Sequence, residues 1–238
     1  MKSNSEKIFC IVPAAGVGSR MQAGRPKQYL PFRSSTILDV TLARLLSSHY
    51  IEKVVVVLQA ADEFWPDSTY ALNENISITT GGTERADSVL NGIAAIKSQA
   101  TEGDWVMVHD AARPCVALID IDRLISAALA NQSGAILATP VNDTVKEVID
   151  GLSTRTLDRS HLWRALTPQI FKLKDLERAL LNAKQKGLVV TDEASAMESL
   201  GKPVQVLEGR ADNIKITSPN DLLLANFYID EEEKQQCE

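Results

Sequence analysis

Arg20 and Lys27 flank a run of small residues, Pro13-Ala14-Ala15-Gly16-Val17-Gly18-Ser19-Arg20-Met21, that follows the apolar segment Ile8 to Val12. A buried strand opening onto small residues exposes successive backbone N–H groups. Those of Ala14 to Gly18, with two cations in reach, suit an anion such as a phosphate. Neither of the two common phosphate loops is present: Met21 stands where the dinucleotide pattern needs its third glycine, and the chain has no Gly-Lys-Ser/Thr of a P-loop. Three further stretches set small residues beside charged ones, namely Gly81 to Ser88, His109 to Pro114, and Asp212 to Lys215. Asp110 ends an apolar segment, a place suited to a ribose hydroxyl, a divalent cation or a cap on the next loop. His109 has no partner at metal spacing and reads as a structural histidine. Asp212 and Lys215 read equally as site residues or as a surface pair. No nucleophile elbow or His-Glu-x-x-His motif points to hydrolysis.

To act together these four stretches must share one edge of a sheet. In open parallel sheets that edge is the carboxyl end of the strands, where the chain order reverses. Apolar periodicity predicts helices over Thr36 to Ser48, Arg85 to Gln99, Ile119 to Ala130 and Lys174 to Lys186, with a helical tendency over Ala61 to Asn75. A continuous β-branched run predicts a strand buried on both faces at Val54 to Leu58, and further strands are read at Ile76 to Thr80, Trp105 to Asp110, Gly134 to Thr139, Val204 to Leu207 and Ile214 to Ile216. One helix is expected to begin at Thr191, with Asp192 and Glu193 in its first turn, and a last one at Ser218-Pro219. Glu231 to Glu238 reads as a frayed charged tail. This alternation predicts a parallel sheet with right-handed crossovers. Thr144 to Ile149 and Ser153 to Leu157 flank Asp150-Gly151, a hairpin signal. Its alternating charged and apolar residues suit a projecting arm (141–160) that packs on another subunit; an antiparallel edge of the sheet is the other reading.

The 238 residues suffice for one domain, 1–238. A net charge of -6 without a Lys/Arg block disfavours nucleic acid or an anionic membrane as partner, so an anion must be held by a local cluster. Three cysteines at unrelated spacings make neither a disulfide framework nor a zinc site. No apolar run approaches the roughly 20 residues of a membrane span, and the polar start is unlike a signal peptide, so a cytoplasmic location is expected.

Together the loops resemble a known family. Pro-Ala-Ala-Gly-x-Gly-x-Arg-Met, Pro-Lys-Gln-Tyr-Leu, Gly-Gly-x-Glu-Arg-Ala-Asp-Ser-Val, His-Asp-Ala-Ala-Arg-Pro, Ala-Leu-Thr-Pro-Gln, Thr-Asp-Glu-Ala-Ser and Glu-Gly-Arg-Ala-Asp-Asn-Ile-Lys, in this order from Pro13 to Lys215, look like the 2-C-methyl-D-erythritol 4-phosphate cytidylyltransferases of the non-mevalonate isoprenoid pathway. The resemblance implies a Rossmann-like, mostly parallel α/β sheet of nucleotidyltransferase type with helices on both faces and a projecting β-hairpin arm. It implies CTP and a small polyol phosphate as substrates, Mg2+ or another divalent cation, and a homodimer with exchanged arms. Pro13, Ala14, Ala15, Gly16, Gly82, Ser88, Asp110 and Ala111 would then hold the nucleotide. Arg20, Lys27, Arg159 and Lys215 would be catalytic, and Asp110 and Asp212 would stand near the metal. Arg113, Thr144, Arg159, Thr167, Thr191 and Lys215 would bind the second substrate, Thr144 and Arg159 from the neighbouring subunit. Thr83 stands where relatives often have an acid. The competing readings are a cytidylyltransferase for another polyol phosphate such as ribitol 5-phosphate, a sugar-1-phosphate uridylyl- or thymidylyltransferase, and a nucleotide-binding regulator without catalysis.

Overall fold

The computed structural model describes residues 6–16 and 24–236. Along them run β1 (Ile8–Pro13), β2 (Pro31–Phe32), β3 (Ser35–Thr36), α1 (Ile37–Leu46), β4 (Ile51–Leu58), β5 (Ile76–Thr80), α2 (Arg85–Ile96), β6 (Trp105–Val108), α3 (Leu118–Asn131), β7 (Ala135–Pro140), β8 (Lys146–Ile149), β9 (Leu152–Thr156), β10 (Trp163–Lys172), α4 (Leu173–Gln185), α5 (Glu193–Ser199), β11 (Gln205–Glu208) and α6 (Pro219–Gln236). Seven strands form one sheet in the order β11-β7-β10-β6-β1-β4-β5. Every neighbouring pair is parallel except the two that β10 makes, with β6 and β7.

Strand periodicity sorts the core into two layers. Ile8, Cys10 and Val12 of β1, with Val54 and Val56 of β4, pack under Leu38, Leu42 and Leu45 of α1 and Leu124 and Ile125 of α3. Phe9, Ile11, Val55 and Val57 face Val89 and Ile93 of α2, Leu176 and Leu180 of α4 and Met197 of α5. Strands covered on both sides must be apolar throughout, hence the unbroken run Val54 to Leu58. Burying one such side chain contributes about 1.5–3 kcal/mol. Gly92 sets how close α2 comes to the sheet: a methyl there would meet Ile11 Cγ2 at 2.6 Å. The helix therefore lies low enough to bring its first turn over the end of β1.

Four expectations need correction. The segment 61–75 holds one 3-10 turn, Trp65–Asp67, and no α-helix. Asp62 accepts from Phe64 N and Trp65 N, each at 3.0 Å, and Ser68 donates to the buried Asp39 at 2.5 Å. Such side-chain bonds offer the backbone an alternative to helix. Ile214 to Ile216 is not a strand; Ile214 N closes a turn on Asp212 O at 2.7 Å, and Ile216 N reaches Ala112 O at 2.8 Å. The tail is helical through Gln236. Arg33 pairs with Asp230 and with Glu233 (2.5 Å), and Arg44 takes both oxygens of Glu232 at 3.0 and 2.5 Å. Finally, β10 runs antiparallel through ten residues that include Pro168. Its register with β7 shifts between Ala165 and Gln169, so the proline falls where the ladder is interrupted and no N–H is needed.

The hairpin is an arm and not an edge of the main sheet. β8 and β9 pair only with each other, around Asp150 and Gly151 at φ 50° and 80°, the positive values a tight hairpin turn requires. Val148, Ile149 and Leu152 on it are exposed.

Candidate active site

Two adjoining chambers open at the carboxyl ends of β1, β5 and β6. The first, of about 330 Å3, is lined by Pro13, Ala14, Ala15, Gly16, Lys27, Gln28, Gly82, Thr83, Glu84, Arg85, Ser88, Asp110, Ala111, Ala112 and Lys215. The second, of about 240 Å3, is lined by Arg85, Asp110, Arg113, Ala165, Leu166, Thr167, Gln169, Thr191, Asp192 and Lys215. A larger and more open groove, about 970 Å3 between α1, α3 and α6, contains none of the four loops.

Local chemistry places each wall. Ala14 N donates to Val57 O at 2.8 Å, and its carbonyl accepts from the buried Gln28 Nε2 at 2.5 Å. Both polar groups of Ala14 are thus committed to the scaffold, so the anion-facing reading of this loop starts at Ala15 and not, as expected, at Ala14. Gln28 and Tyr29 are buried, Tyr29 stacking on Phe64 at 5.3 Å, and the turn they anchor brings Lys27 to the cavity edge, where its ammonium donates to Ile216 O at 3.0 Å. Gly81 packs on the first loop: a methyl there would lie 2.5 Å from Ala15 Cβ and 3.0 Å from Ser88 Oγ. Gly82 N donates to Ser88 Oγ at 3.2 Å, and Ser88 Oγ donates to Glu84 O at 3.2 Å.

Asp110 is the junction of the two chambers. The residue is 8% exposed, and its carboxylate has Lys215 Nζ at 2.9 Å, Arg113 Nε at 3.3 Å and Arg85 Nη2 at 3.4 Å. Burial alone would push the acid up, but Arg85, Lys215 and Arg113 together outweigh it and hold the carboxyl below the usual carboxylate range. Arg85 also reaches across to α5, where Glu193, fully buried, takes Nη1 at 2.5 Å and Nη2 at 3.0 Å. Burial pushes the Glu193 carboxyl up against the pull of Arg85. The two-pronged geometry favours the charged pair, and a carboxylate stranded there without Arg85 would cost about 3–5 kcal/mol.

Beneath the second chamber lies a chain of hydrogen bonds with one polarity. His109 is fully buried, and its Nε2 lies 3.1 Å from Arg113 O, which can only accept. Nδ1 of the neutral ring therefore accepts from Thr167 Oγ1 at 3.1 Å, and that oxygen in turn accepts from Asp110 N at 3.0 Å. Asn213 closes the circuit, donating to Thr167 O at 2.8 Å and accepting Arg113 Nη1 on its carbonyl at 2.7 Å. The structural reading of His109 agrees with this geometry.

Burial pushes the His109 imidazolium down to about 4. In the unfolded chain the ring takes a proton near pH 6.5. The unfolded state therefore binds more protons between these values, and stability falls as the pH drops through that window. Urea unfolding with chelator present should show a loss of about 2 kcal/mol from pH 7 to pH 5, above the usual carboxylate range. The slope should flatten in His109→Gln; an equal slope in both proteins would remove His109 as its source.

All eight expected nucleotide residues line the first chamber, together with Lys27 and Lys215. Arg113, Thr167, Thr191 and Lys215 line the second. Arg20 lies outside the described residues. Asp212 lines neither chamber; Arg210 binds its carboxylate through Nε at 3.1 and 3.0 Å and through Nη2. Thr144 and Arg159 are exposed near the base of the arm, Arg159 donating to Asn142 O, and line neither chamber. Arg85, Glu193, Gln28, Gly81 and Asn213 were missed. Arg85 and Gly81 stood inside a motif whose Gly82 and Ser88 alone were selected. Among the described residues, no group of three or more His, Cys, Asp or Glu is placed to hold a metal, and no helix is long and apolar enough to cross a membrane.

A mostly parallel α/β sheet whose carboxyl-end loops enclose a cation-lined double chamber defines a nucleotidyltransferase. The sequence profile of the family described as IspD, 2-C-methyl-D-erythritol 4-phosphate cytidylyltransferase, matches residues 8–231. A protein of that name from Vibrio parahaemolyticus serotype O3:K6 is 50% identical over 98% of this chain and 99% of its own. One from Vibrio atlanticus is 49% identical over 96% and 98%. The crystal structure of the Francisella tularensis enzyme of the same name superposes with a TM-score of 0.83 at 37% identity, covering 94% of this chain and 100% of that one. The chain belongs to the 2-C-methyl-D-erythritol 4-phosphate cytidylyltransferase family.

Proposed function

We propose that CTP occupies the first chamber and 2-C-methyl-D-erythritol 4-phosphate the second, giving 4-diphosphocytidyl-2-C-methyl-D-erythritol and pyrophosphate for isoprenoid precursor synthesis. The observation that carries this reading is the junction: Arg85, Asp110 and Lys215 line both chambers, so ligands in the two meet there. The 4-phosphate oxygen attacks the α-phosphorus in line, and pyrophosphate leaves. This nucleophile is already ionised, so the site needs positioning and positive charge, with no general base. At an effective dielectric of about 20, one cation 4 Å from a phosphate oxygen gains about 4 kcal/mol of attraction.

The base end favours cytosine. With its N–H committed to Ser88, Gly82 offers a carbonyl, and Ser88 Oγ keeps one acceptor lone pair. Acceptors suit the exocyclic amine of cytosine and oppose the O4 of uracil. Gly81→Ala should raise the CTP dissociation constant about tenfold, because the methyl displaces Ala15. Gly103→Ala, where the nearest atom is 3.9 Å away, is the control in the same calorimetric titration. Equal affinities in the two variants would reject the close packing of these loops as a determinant of binding.

A divalent cation fits this donor set in one way. Two carboxylate oxygens offer about four lone-pair sites. Three cations take up three of those on Asp110, leaving room for one bond to Mg2+ carried in on the triphosphate, the usual one-carboxylate pattern. Asp212 is paired with Arg210 and lines neither chamber, so Asp110 is the carboxylate placed to meet the ion. Bound there, the ion would neutralise charge on the phosphates. The exposed apolar arm with Thr144 and Arg159 suits a homodimer in which each arm completes the partner's second chamber. A cytoplasmic location accords with two buried, unpaired cysteines, Cys10 and Cys115.

The test is pyrophosphate release with Mg2+ and CTP, offering 2-C-methyl-D-erythritol 4-phosphate and ribitol 5-phosphate in parallel. Release with the first alone is expected. Release with ribitol 5-phosphate alone would overturn the substrate assignment, and silence with both would leave a nucleotide-binding regulator.

A further inference from the structure

Of the three residues common to both chambers, Arg85 is the one without an expected role, and its surroundings are unusual. Glu193, at the first position of α5, is fully buried and spends both carboxylate oxygens on the Arg85 guanidinium, at 2.5 and 3.0 Å. A surface tie between α2 and α5 would need neither complete burial nor a two-pronged grip. Gln169 makes a second tie to the same helix end, donating to Asp192 Oδ2 at 2.9 Å and accepting from Ala194 N at 2.9 Å. The start of α5 is therefore fixed without Glu193.

A guanidinium carries five N–H donors in a rigid fork. Two of those on Arg85 go to Glu193 and one, at 3.4 Å, to Asp110; two have no partner among the described residues. The Arg85 side chain keeps 27% of its surface exposed, and that surface belongs to the walls of both chambers. Glu193 and Asp110 hold the charge on Arg85 against burial. The result is a fixed cation opposite Lys215, across Asp110, at the place where two phosphate groups must meet.

We infer that Arg85 is a further catalytic cation, contacting the phosphate oxygens at the chamber junction during attack on the α-phosphorus, and that Glu193 is the positioning residue that aims it. This rests on the reaction proposed above. Charge accumulates at the junction only when both phosphates are present, so Arg85 acts on the chemical step far more than on nucleotide binding. Lysine would not serve equally, because Glu193 grips a planar fork and a point charge cannot occupy it in the same way.

Replacing Arg85 alone would strand the Glu193 carboxylate, so the informative variant is Arg85→Gln/Glu193→Gln, a neutral amide pair in the same space. With CTP, Mg2+ and 2-C-methyl-D-erythritol 4-phosphate, kcat should fall by about 30- to 300-fold while the calorimetric CTP dissociation constant stays within about threefold. The single variant Glu193→Gln keeps the Arg85 charge and loosens its aim; kcat should fall by about tenfold with KM for CTP unchanged. A double variant with wild-type thermal midpoint and kcat within threefold of wild type would overturn the inference. If the double variant does not fold, Glu193→Gln decides: undiminished kcat overturns the positioning role. Wild-type protein that releases no pyrophosphate under these conditions would refute the reaction itself, and the inference with it.

Discussion

Lys27→Ala should lower turnover by about two to three decades while CTP binding weakens far less. Lys27 sits at the edge of the first chamber in a 3-10 turn fixed from within: Gln28 is bonded to Ala14 O and Tyr29 is stacked on Phe64. Its ammonium is anchored on Ile216 O at 3.0 Å, so it is pre-placed at the chamber edge, where the proposed reaction puts the phosphates. The nucleotide in its ground state is held by many groups, and one lost cation is a modest fraction of that total. In the transition state, negative charge shifts toward the bridging and leaving oxygens, and a pre-placed donor there is typically worth about 10²–10³ in kcat. Pyrophosphate-release kinetics beside calorimetric CTP titration separates the two effects. A fall in kcat of less than tenfold would remove Lys27 from the chemical step, and a parallel loss of CTP affinity would make it a ground-state binder.

Why the sequence revealed some of this and hid the rest follows from the range of the interactions. β1 and β4 were legible because a strand covered on both faces leaves one solution, continuous apolar residues, and the loops after them were legible because small residues at a strand end have few other uses. The antiparallel β10 was hidden by Pro168, which argues against a strand until the interruption in its pairing with β7 is seen. Glu193 looked like an acid favouring a helix N-terminus, a local and sufficient reason for its presence; its partner Arg85 is 108 positions away, and only the fold brings them together. The Ala14 backbone illustrates the same limit. Its small side chain marks the loop as one that approaches a ligand, but that its N–H is already spent on Val57 O depends on the end of β4.

The arm gives the prediction that a single chain cannot explain. Arg159→Ala should raise KM for the polyol phosphate by one to two decades with CTP affinity retained, since a charged hydrogen bond to a phosphate is worth about 1.5–3 kcal/mol. On its own chain Arg159 is exposed and lines neither chamber, so under the proposed arm exchange its effect reaches a second subunit. Mixing Arg159→Ala with Lys27→Ala protein, after unfolding and refolding together, tests that geometry. In a mixed dimer with exchanged arms, the pocket of the Arg159→Ala chain keeps its own Lys27 and receives an intact Arg159 from the partner; the other pocket carries both defects. Random pairing makes half of the dimers mixed, so about a quarter of all sites regain wild-type composition, as two-fold symmetry dictates. Activity at subsaturating polyol phosphate should therefore climb from the residual level of either variant to about a quarter of wild type. If the arm served its own chain, every pocket would carry one defect and mixing would restore nothing.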